Sequence, residues 1–383
     1  MQRTPLNETL SCKRALIDHY LTQSSEAVRT ALGLFLSSQR LRRQDGIALF
    51  EEAELPLLAL AATYARLQHH GLATYYNRNA HVEPTNICLF RCKFCSFRQE
   101  AGTPQAWLLS LDEIAHRVEA QQAAGNTEVH ITGGVLPSWR LEDLEELIRT
   151  VRRAAPRLHI KAFSAVELWA IFQLSGVSLP DGLARLRAAG LDSIPGGGAE
   201  IFDAEVRRQI CPEKCSATQW LELHREAHRL GLSSNATMLF GHIETREHRV
   251  DHLLALRDLQ DETHGFNCFI PLKFRAAHNP MEGRGEVSLL EVLRTYAVSR
   301  LLLDNIPHLK CYWPMLGKAH LPLALHYGVD DLDGTINKST RIYSMAGAQD
   351  NSPAASVAEL EALVRAEGYE PYERDSLYHR LAR

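Results

Sequence analysis

Residues 80–96 read Ala80-His-Val-Glu-Pro-Thr85-Asn-Ile-Cys88-Leu-Phe-Arg-Cys92-Lys-Phe-Cys95-Ser96. The first six residues predict a short strand, Ala80–Thr85. A loop with three thiols follows, spaced three residues apart and then two. A closed structural zinc site takes four ligands, usually as two spaced pairs. Three thiolates on one loop suit three corners of a [4Fe–4S] cube and leave the fourth iron open. An open iron can hold a small chelating molecule and pass it an electron. Zinc with a distant fourth ligand, and plain packing of apolar thiols, stand as the alternatives. A second pair, Cys211 and Cys215, has neither an aromatic nor a third thiol and reads as incidental. Cys12, Cys268 and Cys311 are isolated in the chain.

Outward from that loop the chain alternates. Strand candidates recur at Glu128–Thr132, His159–Phe163, Ser193–Pro195, Ser234–Phe240, Asn267–Leu272, His308–Trp313 and Asp331–Thr335, with amphipathic helices between them. Ser110-Leu-Asp-Glu113 has the form of a capping box. Such alternation predicts an α/β protein with a parallel sheet, and eight units can close into a TIM-type (βα)8 barrel. Reactive groups then collect at the carboxyl ends of the strands, where the cysteine loop falls. We place the barrel at residues 76–349. A helical lead-in, 1–75, precedes it, and a helical tail, 350–383, follows.

The 383 residues hold 42 basic and 46 acidic side chains, a net charge of −4. That balance offers no general attraction to nucleic acid. The start is polar and lacks an apolar signal core. No apolar run approaches the length of a membrane span. The expectation is a cytoplasmic protein, with no membrane partner, in a reducing compartment where thiols are free to hold iron.

Four further stretches lie at predicted strand ends. Gly133 and Gly134 let backbone approach a ligand and expose N–H groups, or simply form a tight turn. Pro195-Gly-Gly-Gly-Ala-Glu200 repeats that choice, with Glu200 able to bond a ribose hydroxyl. Asn235 and Thr237 share one strand face and point into the barrel if the register holds. His242 and Glu244 follow at the exit as catalytic candidates, His242 for proton transfer or carboxylate binding. Lys273 and Arg275 flank Phe274 and are candidates for gripping a carboxylate, or a solvated strand end.

The cysteine spacing, with Phe94 just before the last thiol, resembles the signature of the radical S-adenosylmethionine (SAM) enzymes. The wider strings resemble the aminodeoxyfutalosine synthase family, from about residue 42 to about residue 349. They are Glu83 through Ser96, Leu191 through Phe202, Arg207 through Lys214, Asn235 through Thr245, Leu302 through Pro307 and Asp330 through Thr335. Dehypoxanthine futalosine cyclase and the synthases of the deazaflavin precursor are similar sister groups. The Ala-Glu-Ile-Phe and Asn-Ala-Thr-Met-Leu strings lean toward the first family. Phe274-Arg-Ala-Ala-His278-Asn279 departs from its pattern.

The resemblance implies a [4Fe–4S] cluster on Cys88, Cys92 and Cys95, with SAM as cosubstrate beside Phe94, Gly133, Gly134 and Glu200. It implies addition of a 5′-deoxyadenosyl radical to 3-[(1-carboxyvinyl)oxy]benzoate, giving 6-amino-6-deoxyfutalosine, methionine and bicarbonate for menaquinone biosynthesis. Asn235, Thr237, Lys273, Arg275 and Arg341 become substrate-binding candidates, and Arg275→Ala is expected to raise KM. A low-potential donor such as flavodoxin or ferredoxin would supply electrons. The rivals are a cyclase acting by hydrogen abstraction and a non-catalytic iron–sulfur or zinc protein.

Overall fold

The computed structural model describes residues 5–335, 340–347 and 354–382. Four helices come first, Leu6–Leu21, Glu26–Leu36, Arg43–Glu51 and Leu55–His70. Strand β1, Ala73–Val82, then opens the barrel. It starts and stops earlier than the sequence suggests. Its inward residues Asn77, Asn79 and His81 are polar, so the usual apolar signal is missing. Pro84 lacks the N–H a ladder needs, which ends the strand.

The remaining strands are β2 (Glu128–Ile131), β3 (His159–Ala162), β4 (Ser193–Ile194), β5 (Ser233–Phe240), β6 (Phe266–Lys273), β7 (His308–Leu309), β8 (Asp331–Thr335) and β9 (Glu370–Glu373). Their order is β7-β6-β5-β4-β3-β2-β1-β8, and every paired strand runs parallel. A bridge between Lys310 and Asp331 joins the two ends. Cys311 N–H donates to Asp331 O at 2.8 Å there, and Asp330 N–H to Leu309 O at 3.1 Å. The result is the α/β barrel that the alternation predicts.

Helices wrap the outside, started by caps the sequence announces. Ser110 and Ser164 both sit in capping boxes, with Glu113 and Glu167 as their third residues. The amino-terminal helices pack on the helices Arg246–Thr263 and Leu289–Leu302. Arg43 bonds Asp251 at 2.6 Å, and Arg294 donates to Ala53 O at 2.6 Å.

After the helix Val357–Ala366, β9 adds to the first half of β1, pairing Ala73 with Glu370 and Tyr76 with Glu373. The chain then turns under the barrel. Arg374 Nε donates to Asp331 Oδ2 at 2.6 Å, and Ser376 Oγ to Glu128 Oε2 at 2.6 Å. The amino end of the barrel is therefore plugged, and the carboxyl end carries the site. Among the described residues, no helix is long and apolar enough to cross a membrane.

Candidate active site

The cysteine loop leaves β1 at its carboxyl end and is pressed onto the end of β2. Gly134 N–H donates to Thr85 O at 2.7 Å, and Leu89 N–H to Val135 O at 2.8 Å. A Cβ at Gly133 would stand 2.6 Å from Thr85 O, and one at Gly134 only 2.2 Å from Ile87 O. Glycine is required here because two backbones touch. The expectation of free N–H groups for a ligand is corrected accordingly. Gly134 N–H serves Thr85, and Gly133 N–H donates to Glu167 Oε1 at 3.1 Å.

All eight cysteines are free thiols. Burial pushes Cys92 up to about 12 and raises Cys88 as well. Val135 N–H donates to Cys88 Sγ at 3.4 Å, and Lys214 opposes the burial effect at Cys92. Thiols this reluctant to ionise need a cationic centre to become ligands. Four sulfurs around one zinc would lie about 3.8 Å apart, from tetrahedral bonds of about 2.3 Å. Among the described residues only His70, His308 and Asp330 bring three ligand atoms within 4.8 Å of one another. Cys88, Cys92 and Cys95 do not form such a group. The His70 group lies at the plugged end and is spoken for, since His70 Nε2 meets Pro307 O at 2.7 Å.

A second wall backs the loop. Helix Ala204–Ile210 and its exit carry Ile210 O, which accepts from Lys93 N–H at 2.8 Å, and Glu213, which accepts from Arg91 N–H at 2.5 Å. Cys211 and Cys215 are buried in this wall. Lys214 pairs with Glu200 and stands 5.0 Å over the Phe94 ring. Glu200 thus reaches the cysteine loop through Lys214.

His242 and Glu244 are engaged with the chain around them. Both side chains are wholly buried. Glu244 accepts from Gly241 N–H at 2.6 Å, His242 N–H at 2.9 Å and Arg249 Nε at 2.7 Å. His242 Nε2 meets Leu239 O at 3.1 Å, and burial lowers its pKa. The pair holds the turn after β5.

Lys273 and Arg275 have partners within the chain as well. Ile270 and Leu272 face the barrel interior, so Lys273 alternates away from it. Lys273 Nζ lies 2.7 Å and Arg275 Nε 3.3 Å from Glu286, and Arg275 Nη2 donates to Gly347 O at 2.9 Å. Arg341 packs its guanidinium 5.1 Å over Trp107, while its N–H reaches Glu83 Oε1 at 3.0 Å.

Inside the barrel is a cavity of about 150 Å³. Asn235 and Thr237 are on its wall, as their shared face predicts. Its polar floor was not read from the sequence. Lys161 bonds Glu128 at 2.5 Å, and Lys310 bonds Asp333 at 2.9 Å. His81 and His130 stand with ring centroids 5.1 Å apart, and burial lowers His130 to about 3. Opposite them are Pro195, Ile270 and Leu272. Polar residues at every second position, Asn77, Asn79, His81 and then Glu128, His130, Thr132, were the available signal.

Comparison with known proteins follows from this geometry. Residues 82–256 match the radical SAM superfamily, and residues 263–382 match the CofH/MqnC C-terminal region. An aminodeoxyfutalosine synthase of Thermus thermophilus is 40% identical over 90% of this chain and 94% of its own. A 5-amino-6-(D-ribitylamino)uracil–L-tyrosine 4-hydroxyphenyl transferase of Methanosarcina barkeri is 37% identical, over 88% and 89%. A cyclic dehypoxanthine futalosine synthase of Streptomyces coelicolor is 36% identical, over 89% and 86%. The crystal structure of methylornithine synthase superposes with a TM-score of 0.71 at 17% identity, over 88% of this chain and 96% of that one. That likeness concerns the fold.

Proposed function

Because the chain belongs to the radical SAM superfamily and, within it, to the aminodeoxyfutalosine synthase family, we propose that it joins the 5′-deoxyadenosyl group of SAM to 3-[(1-carboxyvinyl)oxy]benzoate. The products are 6-amino-6-deoxyfutalosine, methionine and bicarbonate, on the route to menaquinone. It is an enzyme of the radical SAM type. One observation carries the reading: three free thiols on the loop leaving β1, clamped at the mouth of a polar barrel.

A [4Fe–4S] cluster with one unligated iron, when bound, supplies the electron that splits the sulfonium. Cys88, Cys92 and Cys95 would hold it. Lys214 offsets the charge of Cys92, and Glu200 keeps Lys214 in place. Gly133 and Gly134 set the height of the loop above β2. Asn235 and Thr237 line the space below, where the enol ether would lie out of water. Thr237 Oγ1 donates to Gly196 O at 2.5 Å and so orients that wall. A low-potential donor, flavodoxin or ferredoxin, would deliver electrons in the cytoplasm.

The test is a mass spectrum of the product from anaerobically reconstituted protein, dithionite, SAM and the enol ether. Adenosyl carbon inside the product is expected. Free 5′-deoxyadenosine with an adenosyl-free product would favour hydrogen abstraction, as in a cyclase, and sink the addition reading.

A further inference from the structure

The cavity floor carries four charges that cancel: Lys161 and Lys310 against Glu128 and Asp333. The side chains of Lys161, Lys310 and Asp333 are at most 5% exposed. Each ammonium has three N–H donors, so each retains donors beyond its own carboxylate. Two polar atoms in the lining are buried with no hydrogen-bond partner among the described residues, Asp333 Oδ2 and His130 Nε2. Asn79 Oδ1 is a third. Orphaned buried polar atoms are costly, and several around one cavity point to a ligand. Asp333 also has φ of 61°, the left-handed region that side chains other than glycine avoid. Its N–H donates to Asp331 Oδ1 at 2.6 Å, which holds that conformation.

The opposite wall mixes the apolar Pro195, Ile270 and Leu272 with Asn235 and Thr237. An aromatic ring with one carboxyl group matches a space with apolar side chains on that wall and two buried ammonium groups on the floor. An anion alone would leave the neutral floor with an unbalanced charge, which burial makes expensive. An anion with one proton would not. Two carboxyls sharing a proton satisfy both the spare N–H donors and the orphaned Asp333 oxygen.

Resting on the proposed function, we infer that the floor takes the ring carboxyl of the substrate together with one proton from solvent. Lys161 and Lys310 donate to that carboxyl, and Asp333 Oδ2 shares the proton. The titratable and charged groups facing Asp333 are Lys310, His81, Glu128 and Lys161, with His130 beside them and Asp331 and Arg374 beneath. Without a ligand, Lys310 holds Asp333 ionised by lowering its pKa against burial.

The experiment is calorimetry on reconstituted enzyme with SAM and no reductant, at neutral pH, in two buffers of different ionisation enthalpy. The ligands are 3-[(1-carboxyvinyl)oxy]benzoate and 2-phenoxyacrylate, the same ether without the ring carboxyl. The first should bind with uptake of about one proton. The second should bind without uptake and about tenfold or more weaker, the loss of one charge-assisted bond. Asp333→Asn should abolish uptake yet bind the first ligand no more weakly. Lys310→Met with Asp333→Asn removes both charges, so no lone ion is stranded. It should weaken the first ligand alone. Uptake that persists in Asp333→Asn, or equal weakening of both ligands, overturns the floor assignment and leaves the enol-ether reading intact. If the unaltered enzyme binds neither ether, both fall together.

Discussion

Two polar layers share this barrel, one at the plugged amino end and one on the cavity floor. At the amino end, Asp330 accepts from Arg300, from His308 Nδ1 at 2.6 Å and from Leu309 N–H at 2.8 Å. The Tyr378 ring stacks on His308 with centroids 3.7 Å apart. On the floor, Asp333 keeps one oxygen without a partner among the described residues. Both layers are buried and charged. The difference lies in the two carboxylates: both oxygens of Asp330 are answered by the chain itself, and Asp333 Oδ2 has no partner among the described residues. Buried charge by itself therefore does not mark a site; what sets the floor apart is an unanswered carboxylate oxygen that faces a cavity.

The comparison can be broken from either end. Cys92→Ser, above the floor, should abolish the iron chromophore and all turnover, while a hydroxyl in place of this buried thiol lowers the unfolding free energy by only about 1–3 kcal/mol. Metal analysis and a urea melt would check this, and retained turnover would end the cluster reading. Asp330→Ala should do the reverse. Stranding Arg300 in the interior costs about 3–5 kcal/mol. Denaturant midpoints should drop accordingly, with kcat per folded molecule nearly kept.

Gly134→Ala lies between these extremes. The added carbon meets Ile87 O, and relieving it should cost about 1–3 kcal/mol. The strain falls on the cysteine loop, so iron per chain after reconstitution should fall more than the melting temperature does.

Acid tests the layers together. Burial lowers His70 and His228 to about 4, and His130 and His252 to about 3. Unfolded imidazoles take their proton near about 6.5. The unfolded chain thus binds more protons below that pH, so stability is full above it and falls as pH drops toward 4 and then 3. Melts between pH 8 and pH 4, a range of roughly four units around that value, should show the loss beginning at the imidazole step; a flat profile would contradict neutral buried histidines. The smallest effect is expected for Arg275→Ala. Its guanidinium faces Glu286 and Gly347, so KM should change by less than about twofold, within the range of a partly exposed ion pair. A large KM rise would restore the role the sequence suggested.

The barrel was legible because its signals are local. Ser110, with Glu113 three residues on, announces the helix that begins at Leu111, and each predicted strand has a counterpart. Cys88, Cys92 and Cys95 were legible for the same reason, being seven residues apart in total on one loop. The floor was not. Lys161, Lys310, His130 and Asp333 come from four different strands or strand ends, and nothing local says which of them meet. His242 and Glu244 were legible only as a strand-exit pair; that Arg249 and Gly241 close on the carboxylate depends on the folded turn.

The amino-acid order by itself determined the alternation, the caps and the spacing of the thiols, since each depends on neighbours within a few residues. Only the closed barrel decided which charges cancel and which atoms remain unanswered. Pairing across a lumen depends on register between distant strands, and that register is set by the packing of the whole sheet.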